Sequence, residues 1–368
     1  MKKVLFTAST YSHIRTFHLP YLRHFQEAGW SVHLGCAAPP EQVPYTDGVV
    51  NLPFKKKMSS PANFRAAWLL RKKILEENYS FICTHTSLAA FFTRLALLGM
   101  KKRPKVVCMA HGYLFDDETP KLKKKILLTA ERLMARYTDL LLTMNRWDYE
   151  TAKQYQLGTR VDKVPGIGVD FSKLSKLDSV QRQIRRQGLG ISDNAIVLFY
   201  AAEFSSRKSQ SVLIEAMTYL PSNIYLILAG DGALFSQCKE LVSSLELDQR
   251  VIFPGYVRDI GTWYGLSDVA VSASRSEGLP FNVMEAMYAG IPVIASAVKG
   301  HDDLIEDGET GLLYPYGDAK ECARQISRLI SSLDLKEKLV RQAGENVLQY
   351  DLTQVLPIVI DQYQSVDS

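Results

Sequence analysis

Short runs rich in Val, Ile and Leu recur through both halves of this 368-residue chain, each followed by a stretch long enough for a helix. Such alternation folds as a parallel sheet covered by helices, because strands that run the same way need a crossover and the crossover helix packs on the sheet. The expected strands are residues 4–8, 31–36, 81–84, 106–109 and 140–144 in the first half, and 195–200, 224–229, 251–253, 269–272 and 292–295 in the second. Proline and glycine concentrate in Lys163-Val164-Pro165-Gly166-Ile167-Gly168-Val169-Asp170, the expected hinge. The chain therefore reads as α/β with two domains, 1–165 and 166–349. Residues 349–363 are helix-like again.

The net charge of +5 conceals an asymmetry: residues 1–165 carry 26 Lys+Arg against 13 Asp+Glu, net +13, whereas 166–368 carry net −8. The basic half is suited to anions. Nucleic acid is one such partner, but the acidic second half and its paired glutamates argue against it. Cys36, Cys83, Cys108, Cys238 and Cys322 are scattered without a Cys-x-x-Cys, so a reduced, cytoplasmic chain without a zinc site is expected. The apolar run after Lys2 and Lys3 is too short for a signal peptide, and no 18-residue apolar stretch exists to span a bilayer. No glycine precedes Gly29, and Leu34-Gly35-Cys36-Ala37 ends the second strand without an acidic residue. The first strand–helix turn thus lacks the Gly-x-Gly-x-x-Gly cradle, and nicotinamide binding is not expected.

Glu277 and Glu285 frame Gly278-Leu279-Pro280-Phe281-Asn282-Val283-Met284, between the apolar run 268–273 and a helical pattern that closes at Gly290. Glu277 falls in the turn and Glu285 inside the helix. Backbone N–H groups at a helix start favour a phosphate, whereas a carboxylate repels one and accepts hydrogen bonds from vicinal hydroxyls. A ligand with both phosphate and sugar rings satisfies both. The other reading of the pair is simple complementation of the helix dipole.

Glu-x7-Glu after Ser274-Arg275-Ser276, then Ala289-Gly290-Ile291-Pro292-Val293-Ile294-Ala295, Glu306-Asp307-Gly308 and Gly311-Leu312-Leu313, resembles the retaining sugar-nucleotide transferases of glycosyltransferase family 4. The likeness spans the chain. The block His13-Ile14-Arg15-Thr16-Phe17-His18-Leu19-Pro20-Tyr21, with His85-Thr86 and Ala110-His111-Gly112-Tyr113, more narrowly resembles bacterial exopolysaccharide and capsule glycosyltransferases. This resemblance implies the GT-B fold: two Rossmann-like domains facing a cleft, with residues 350–368 crossing back as a helix to the first. It also implies that Glu285 binds ribose hydroxyls, Glu277 binds donor-sugar hydroxyls, and His111 contacts the donor sugar and supports its oxocarbenium-like state. The turn Gly278, Leu279, Pro280, Phe281 and Asn282 belongs to the same donor site. Gly230-Asp231-Gly232 would lie near the donor phosphates and Gly255-Tyr256-Val257-Arg258 beside the base, although a tight turn explains the glycines and surface packing explains Tyr256 equally well.

Lys208, in the segment 201–210, is expected to stabilise the leaving diphosphate. Relatives commonly carry arginine where this chain has Glu203, a glutamate that exopolysaccharide relatives often share. Arg207 either supplies the missing cation or pairs with Glu203 at i, i+4. No Asp-x-Asp occurs, and neither Asp116-Asp117 nor Asp302-Asp303 has the spacing to chelate a diphosphate through magnesium. No metal or other cofactor is expected, the UDP-sugar being a substrate. The resemblance further implies retention of anomeric configuration, with the departing phosphate as base.

On the basic half, Arg15 suits a phosphate-bearing acceptor, and His13, His18 and His85 are further acceptor-side candidates; a loop histidine is otherwise simply exposed. In residues 121–137, Leu122, Ile126, Leu127, Ala130, Leu133, Met134 and Tyr137 make one apolar stripe amid Lys121, Lys123, Lys124, Lys125, Arg132 and Arg136. With Lys55-Lys56-Lys57, Arg71-Lys72-Lys73 and Lys101-Lys102-Arg103, this suits an anionic membrane surface, at about 1 kcal/mol per contacting charge. A core-packed helix with a solvated basic face is the alternative. The combined reading is a retaining transferase, peripheral on the inner face of the cell membrane, that moves a hexosyl or N-acetylhexosaminyl group from a UDP-sugar to a polyprenyl-diphosphate-linked saccharide. Its rivals are a UDP-sugar epimerase or hydrolase on the same fold, and a non-catalytic basic protein that binds nucleic acid or membrane.

Overall fold

The computed structural model describes residues 1–367 and divides into two compact units, one of residues 1–168 joined by the C-terminal segment from Thr353, the other of residues 169–352. The first is built on β1 (Lys3–Thr10), β2 (Ser31–Ala37), β3 (Gly48–Asn51), β4 (Phe81–His85), β5 (Lys105–Ala110), β6 (Leu140–Thr143) and β7 (Arg160–Lys163). They form one parallel sheet in the order β3-β2-β1-β4-β5-β6-β7. The second carries β8 (Ile196–Ala201), β9 (Ile224–Ala229), β10 (Val251–Gly255), β11 (Val269–Ser272), β12 (Val293–Ser296) and β13 (Leu312–Tyr314), parallel in the order β10-β9-β8-β11-β12-β13.

Each sheet winds outward from its first strand and then restarts on that strand's other side. Strand order therefore reverses between β1 and β4 and again between β8 and β11, the positions where open α/β sheets bind ligands at strand carboxyl ends. The central strands are buried on both faces, as Val4, Leu5 and Phe6 in β1 and Leu226, Ile227 and Leu228 in β9 illustrate. Three strands differ from the sequence reading, which did not include β3, β7 or β13. All three are sheet edges of three or four residues. An edge strand is covered incompletely, so Gly48–Asn51 and Arg160–Lys163 lack the continuous apolar run that marks an interior strand.

The division between units falls three residues beyond the expected one at each crossing, at 168/169 and 352/353. The reason is a pairing of the two crossings: Val169 N–H donates to Tyr350 O at 2.9 Å and Leu352 N–H to Val169 O at 2.9 Å. After them the helix Leu352–Gln364 joins the first unit, burying Val355, Val359, Ile360 and Tyr363, the last with its ring centroid 6.0 Å from Tyr21 and 6.3 Å from Phe6.

The helix Lys121–Ala135 corrects the single apolar stripe. Met134 is buried and Leu127 packs on the core, but Leu122, Ile126 and Leu133 are 72%, 60% and 62% exposed. A second helix, Pro61–Glu77, exposes Phe64, Trp68 and Leu75, which the sequence reading did not single out. Among the described residues no helix is long and apolar enough to cross a membrane. All five cysteines are free and buried.

Candidate active site

In the second unit the loops after β8, β11 and β12 are tied together by backbone. Arg275 N–H donates to Arg207 O at 2.7 Å, and Glu277 N–H to Lys299 O at 3.2 Å. This convergence places Glu277 between two cations: Lys208 Nζ lies 2.5 Å from Oε1 and Arg207 Nη1 2.8 Å from Oε2. Burial by itself would raise the Glu277 pKa, but Lys208 and Arg207, with His301 behind, outweigh it and hold the carboxyl at about 2. Burial lowers the Lys208 pKa, an effect that Glu277 opposes. Arg207 thus pairs with Glu277 and not with Glu203. Glu203 is exposed, its carbonyl accepting from Gln210 Nε2 at 3.0 Å.

Beyond Glu277, Gly278 and Leu279 are buried and Pro280 is the N-cap of the helix Phe281–Tyr288, with no side-chain cap bond. Glu285 stands in its second turn, half-buried. Tyr264 donates its hydroxyl to Asn282 O at 2.8 Å and lies 3.3 Å from Glu285 Oε2. Burial raises Glu285 to about 7, although the Tyr264 hydrogen bond favours the carboxylate. Gly230 and Gly232 are explained by close approach: a Cβ on Gly230 would stand 2.0 Å from Ala202 O, and one on Gly232 2.4 Å from Phe204 O. The loop after β9 is thereby pressed onto the loop that leads to Lys208. Tyr256, on the loop after β10, is 75% exposed and so is not packed on the surface, while Val257 is half-buried.

Sequence reasoning missed His301, Gly300 and Tyr264. His301 is buried between Ser272 Oγ at 3.1 Å and Ser296 O at 2.8 Å, its pKa lowered by burial to about 4. Gly300, at φ +84°, lets Glu277 approach, since its Cβ would meet Glu277 Cβ and Gly278 O at 2.8 Å. A glycine just before the histidine was the available signal; nothing marked Tyr264.

The first unit gathers a second group at its own switch point. β1 ends at Thr10 and the helix Tyr11–Phe17 brings His13 inward, with His18 at the joint to the helix Leu19–Glu27. β4 ends on His85 and β5 just before His111, whose loop turns at Gly112 with φ +113°. After His85, Thr86 sits at the unusual φ of +65° and accepts from Ser9 N–H at 3.1 Å, locking β1 and β4 loops together. The four rings meet: His13 Nε2 is 3.2 Å from His18 Nε2, His85 Nδ1 is 3.3 Å from His111 Nε2, and His18 stacks on His85 at 3.7 Å. Burial, reinforced for His18, His85 and His111 by neighbouring imidazoles, lowers all four pKa values, His13 to about 4. Neutral rings result, each able to donate one hydrogen bond and accept one. Arg15 stays outside the cluster, exposed.

Two doubly wound α/β units, one with a cation-clamped glutamate and one with neutral histidines at its switch point, define the class of fold. Known proteins carry the identification further. The description "Glycosyl transferase 4-like domain" matches residues 14–165 and "Glycosyl transferases group 1" matches 181–346. The chain is 33% identical to the putative glycosyltransferase EpsD of Bacillus subtilis (strain 168) over 369 residues, 99% of this chain and 97% of that one. It is 26% identical to the UDP-Gal:alpha-D-GlcNAc-diphosphoundecaprenol alpha-1,3-galactosyltransferase of Escherichia coli, over 76% of this chain and 75% of that one. The solved structure of Anabaena Alr3699/HepE in complex with UDP-glucose superposes with a TM-score of 0.80 at 22% identity, covering 99% of this chain and all of that one. The chain belongs to this glycosyltransferase family: it is an enzyme of the GT4 type with the GT-B fold.

Proposed function

We propose that the enzyme transfers a hexosyl or N-acetylhexosaminyl group, with retention, from a UDP-sugar to a polyprenyl-diphosphate-linked saccharide in exopolysaccharide or capsule assembly. The observation that carries this reading is Glu277, ionised between Lys208 and Arg207 at the β8/β11 switch point, with Glu285 in the helix that follows. Carboxylates take sugar and ribose hydroxyls, and the two cations take the diphosphate. The name of the E. coli relative and the UDP-glucose in the HepE complex support the donor and acceptor classes.

When the sugar–phosphate bond breaks, its electron pair passes to the diphosphate oxygen, where Lys208 and Arg207 offset the charge before water must reorganise. The acceptor hydroxyl adds to the anomeric carbon on the same face and loses its proton to the departing phosphate. Neutral His111 holds a donor-sugar hydroxyl; His13, His18, His85 and Arg15 serve the acceptor side. The cations make a divalent metal unnecessary. On this reading the basic first unit rests peripherally on the anionic inner face of the cell membrane, through the exposed apolar residues of Lys121–Ala135 and Pro61–Glu77 among their lysines.

The test is a donor panel of nucleotide sugars with and without polyprenyl-diphosphate-linked saccharides, scored by nucleotide release and product NMR. Acceptor-dependent UDP release with an α-linked product from an α-linked donor is expected. Conversion of UDP-sugar without acceptor, or no turnover with any pair, would remove the proposal.

A further inference from the structure

Four neutral imidazoles in one place bring four N–H groups and four lone pairs, yet among the described residues they make only two ring-to-ring hydrogen bonds, His13 with His18 and His85 with His111. His18 Nδ1 and His85 Nε2, on fully buried rings, have no hydrogen-bond partner among the described residues. Ring lone pairs that these two hydrogen bonds do not occupy are left for a further partner, and a cation that prefers imidazole nitrogen is one. From this geometry we infer that His13, His18 and His111 form a binding site for one divalent transition-metal ion such as zinc.

One ligating atom from each of the three rings lies within 4.8 Å of the others. Around a tetrahedral zinc with Zn–N of about 2.0–2.1 Å, ligand nitrogens stand roughly 3.4 Å apart. His13 and His18 already meet that spacing at 3.2 Å, so the third ring closes the set by a small movement. The fourth position stays open. His85, stacked on His18 and beside His111, restrains both rings from behind, as outer groups around metal-bound histidines do. An all-imidazole set suits zinc, cobalt, nickel or copper and discriminates against magnesium and calcium, which prefer oxygen. The expectation of no zinc site came from cysteine spacing alone. Residues 13, 18 and 111 become neighbours only through the β1-β4-β5 adjacency.

The site shares His13, His18 and His111 with the proposed donor and acceptor contacts, but its test reads binding and not turnover, so its failure is distinct from theirs. Chelator-treated full-length protein at pH 7.5 is titrated with Zn2+ by calorimetry and with Co2+ by visible absorption. One ion per chain, the intense visible bands of four-coordinate Co2+, and affinity unaffected by millimolar Mg2+ are the expected results. His13→Gln, at a half-buried position, should weaken binding at least tenfold, whereas His24→Gln, outside the cluster, should leave it unchanged. Metal-free melting curves establish that both variants are folded. Absence of stoichiometric binding, or equal affinity in folded His13→Gln and the parent protein, would overturn the proposal.

Discussion

Glu277 is a buried carboxylate whose ionisation depends on two partners, so removing either partner has consequences for folding as well as chemistry. Lys208→Met leaves the charge to Arg207, which is 48% exposed, and is expected to destabilise the protein by about 2–3 kcal/mol. Turnover should drop roughly 100- to 1,000-fold if the ammonium stabilises the leaving diphosphate. Lys208→Met/Glu277→Gln should regain most of the stability and none of the turnover. Urea denaturation and UDP release read the two effects separately, and a Lys208→Met enzyme as stable and active as the parent would contradict the pairing's role. Glu285 behaves oppositely, with a folded pKa of about 7 against an ordinary 4.5. The folded chain holds the proton more tightly than the unfolded one, so the contribution of this group falls as pH rises from about 4.5 to 7 and is lowest above that. Glu285→Gln should therefore gain up to about 3 kcal/mol relative to the parent at pH 8 and little at pH 4. On the proposed reading ribose hydroxyls donate to Glu285, and a carboxylate accepts such bonds more strongly than its protonated form. Parent affinity for a UDP-sugar should weaken progressively below pH 7, approaching tenfold per unit, while Glu285→Gln binds weakly at every pH. Calorimetry from pH 5.5 to 8 decides this, and a flat parent profile would contradict it.

At the scale of elements, the outward row Leu122, Ile126 and Leu133 turns Lys121–Ala135 into a helix with a basic, partly apolar outer face. Ile126→Ser/Leu133→Ser should leave the melting temperature nearly unchanged, since both side chains are exposed, but weaken binding to vesicles containing anionic lipid by about 1–2 kcal/mol per residue. Raising salt should release the parent protein, because the screening length shrinks to about 3 Å at 1 M. Co-sedimentation measures both, and salt-insensitive or absent binding would remove the membrane from the proposed function. The same helix marks a limit of sequence reading. Periodicity identifies an amphipathic helix, but when apolar residues occupy more than one face it does not say which face meets the core. Interior strands were legible because burial on both faces demands unbroken Val, Ile and Leu; β3 and β7 were not, because edge strands are released from that demand, and β13, although apolar, is only three residues long. The strand–turn–helix order between Glu277 and Glu285 was legible, since the apolar run, the proline and the closing glycine all punctuate it, although the helix begins at Phe281 and ends at Tyr288.

Over the whole molecule, what the sequence concealed is chiefly adjacency across long separations. Lys208 and Glu277 are 69 residues apart and the histidines extend from 13 to 111, so their meeting depends on the order of strands within each sheet. Individual residues could be placed at strand ends, but neither the clamp on Glu277 nor the fourfold ring cluster follows from local pattern. On the proposed reading, Lys208 and Arg207 in the acidic half would provide the positive charge that a magnesium ion would otherwise supply to a diphosphate, whereas the candidate ion site lies among histidines of the basic half. A zinc ion on His111 would occupy the lone pair that the proposed transfer uses for a sugar hydroxyl. Transfer should then survive exhaustive EDTA treatment without added Mg2+, be reversibly inhibited by stoichiometric Zn2+, and recover when chelator is returned. In His13→Gln the ratio of rates with and without Zn2+ should move towards one, whatever that variant's own rate. Nucleotide release under these conditions checks the whole scheme: activity lost to EDTA and restored by magnesium would contradict metal-independent transfer, and zinc bound without inhibition would detach His111 from the chemical step.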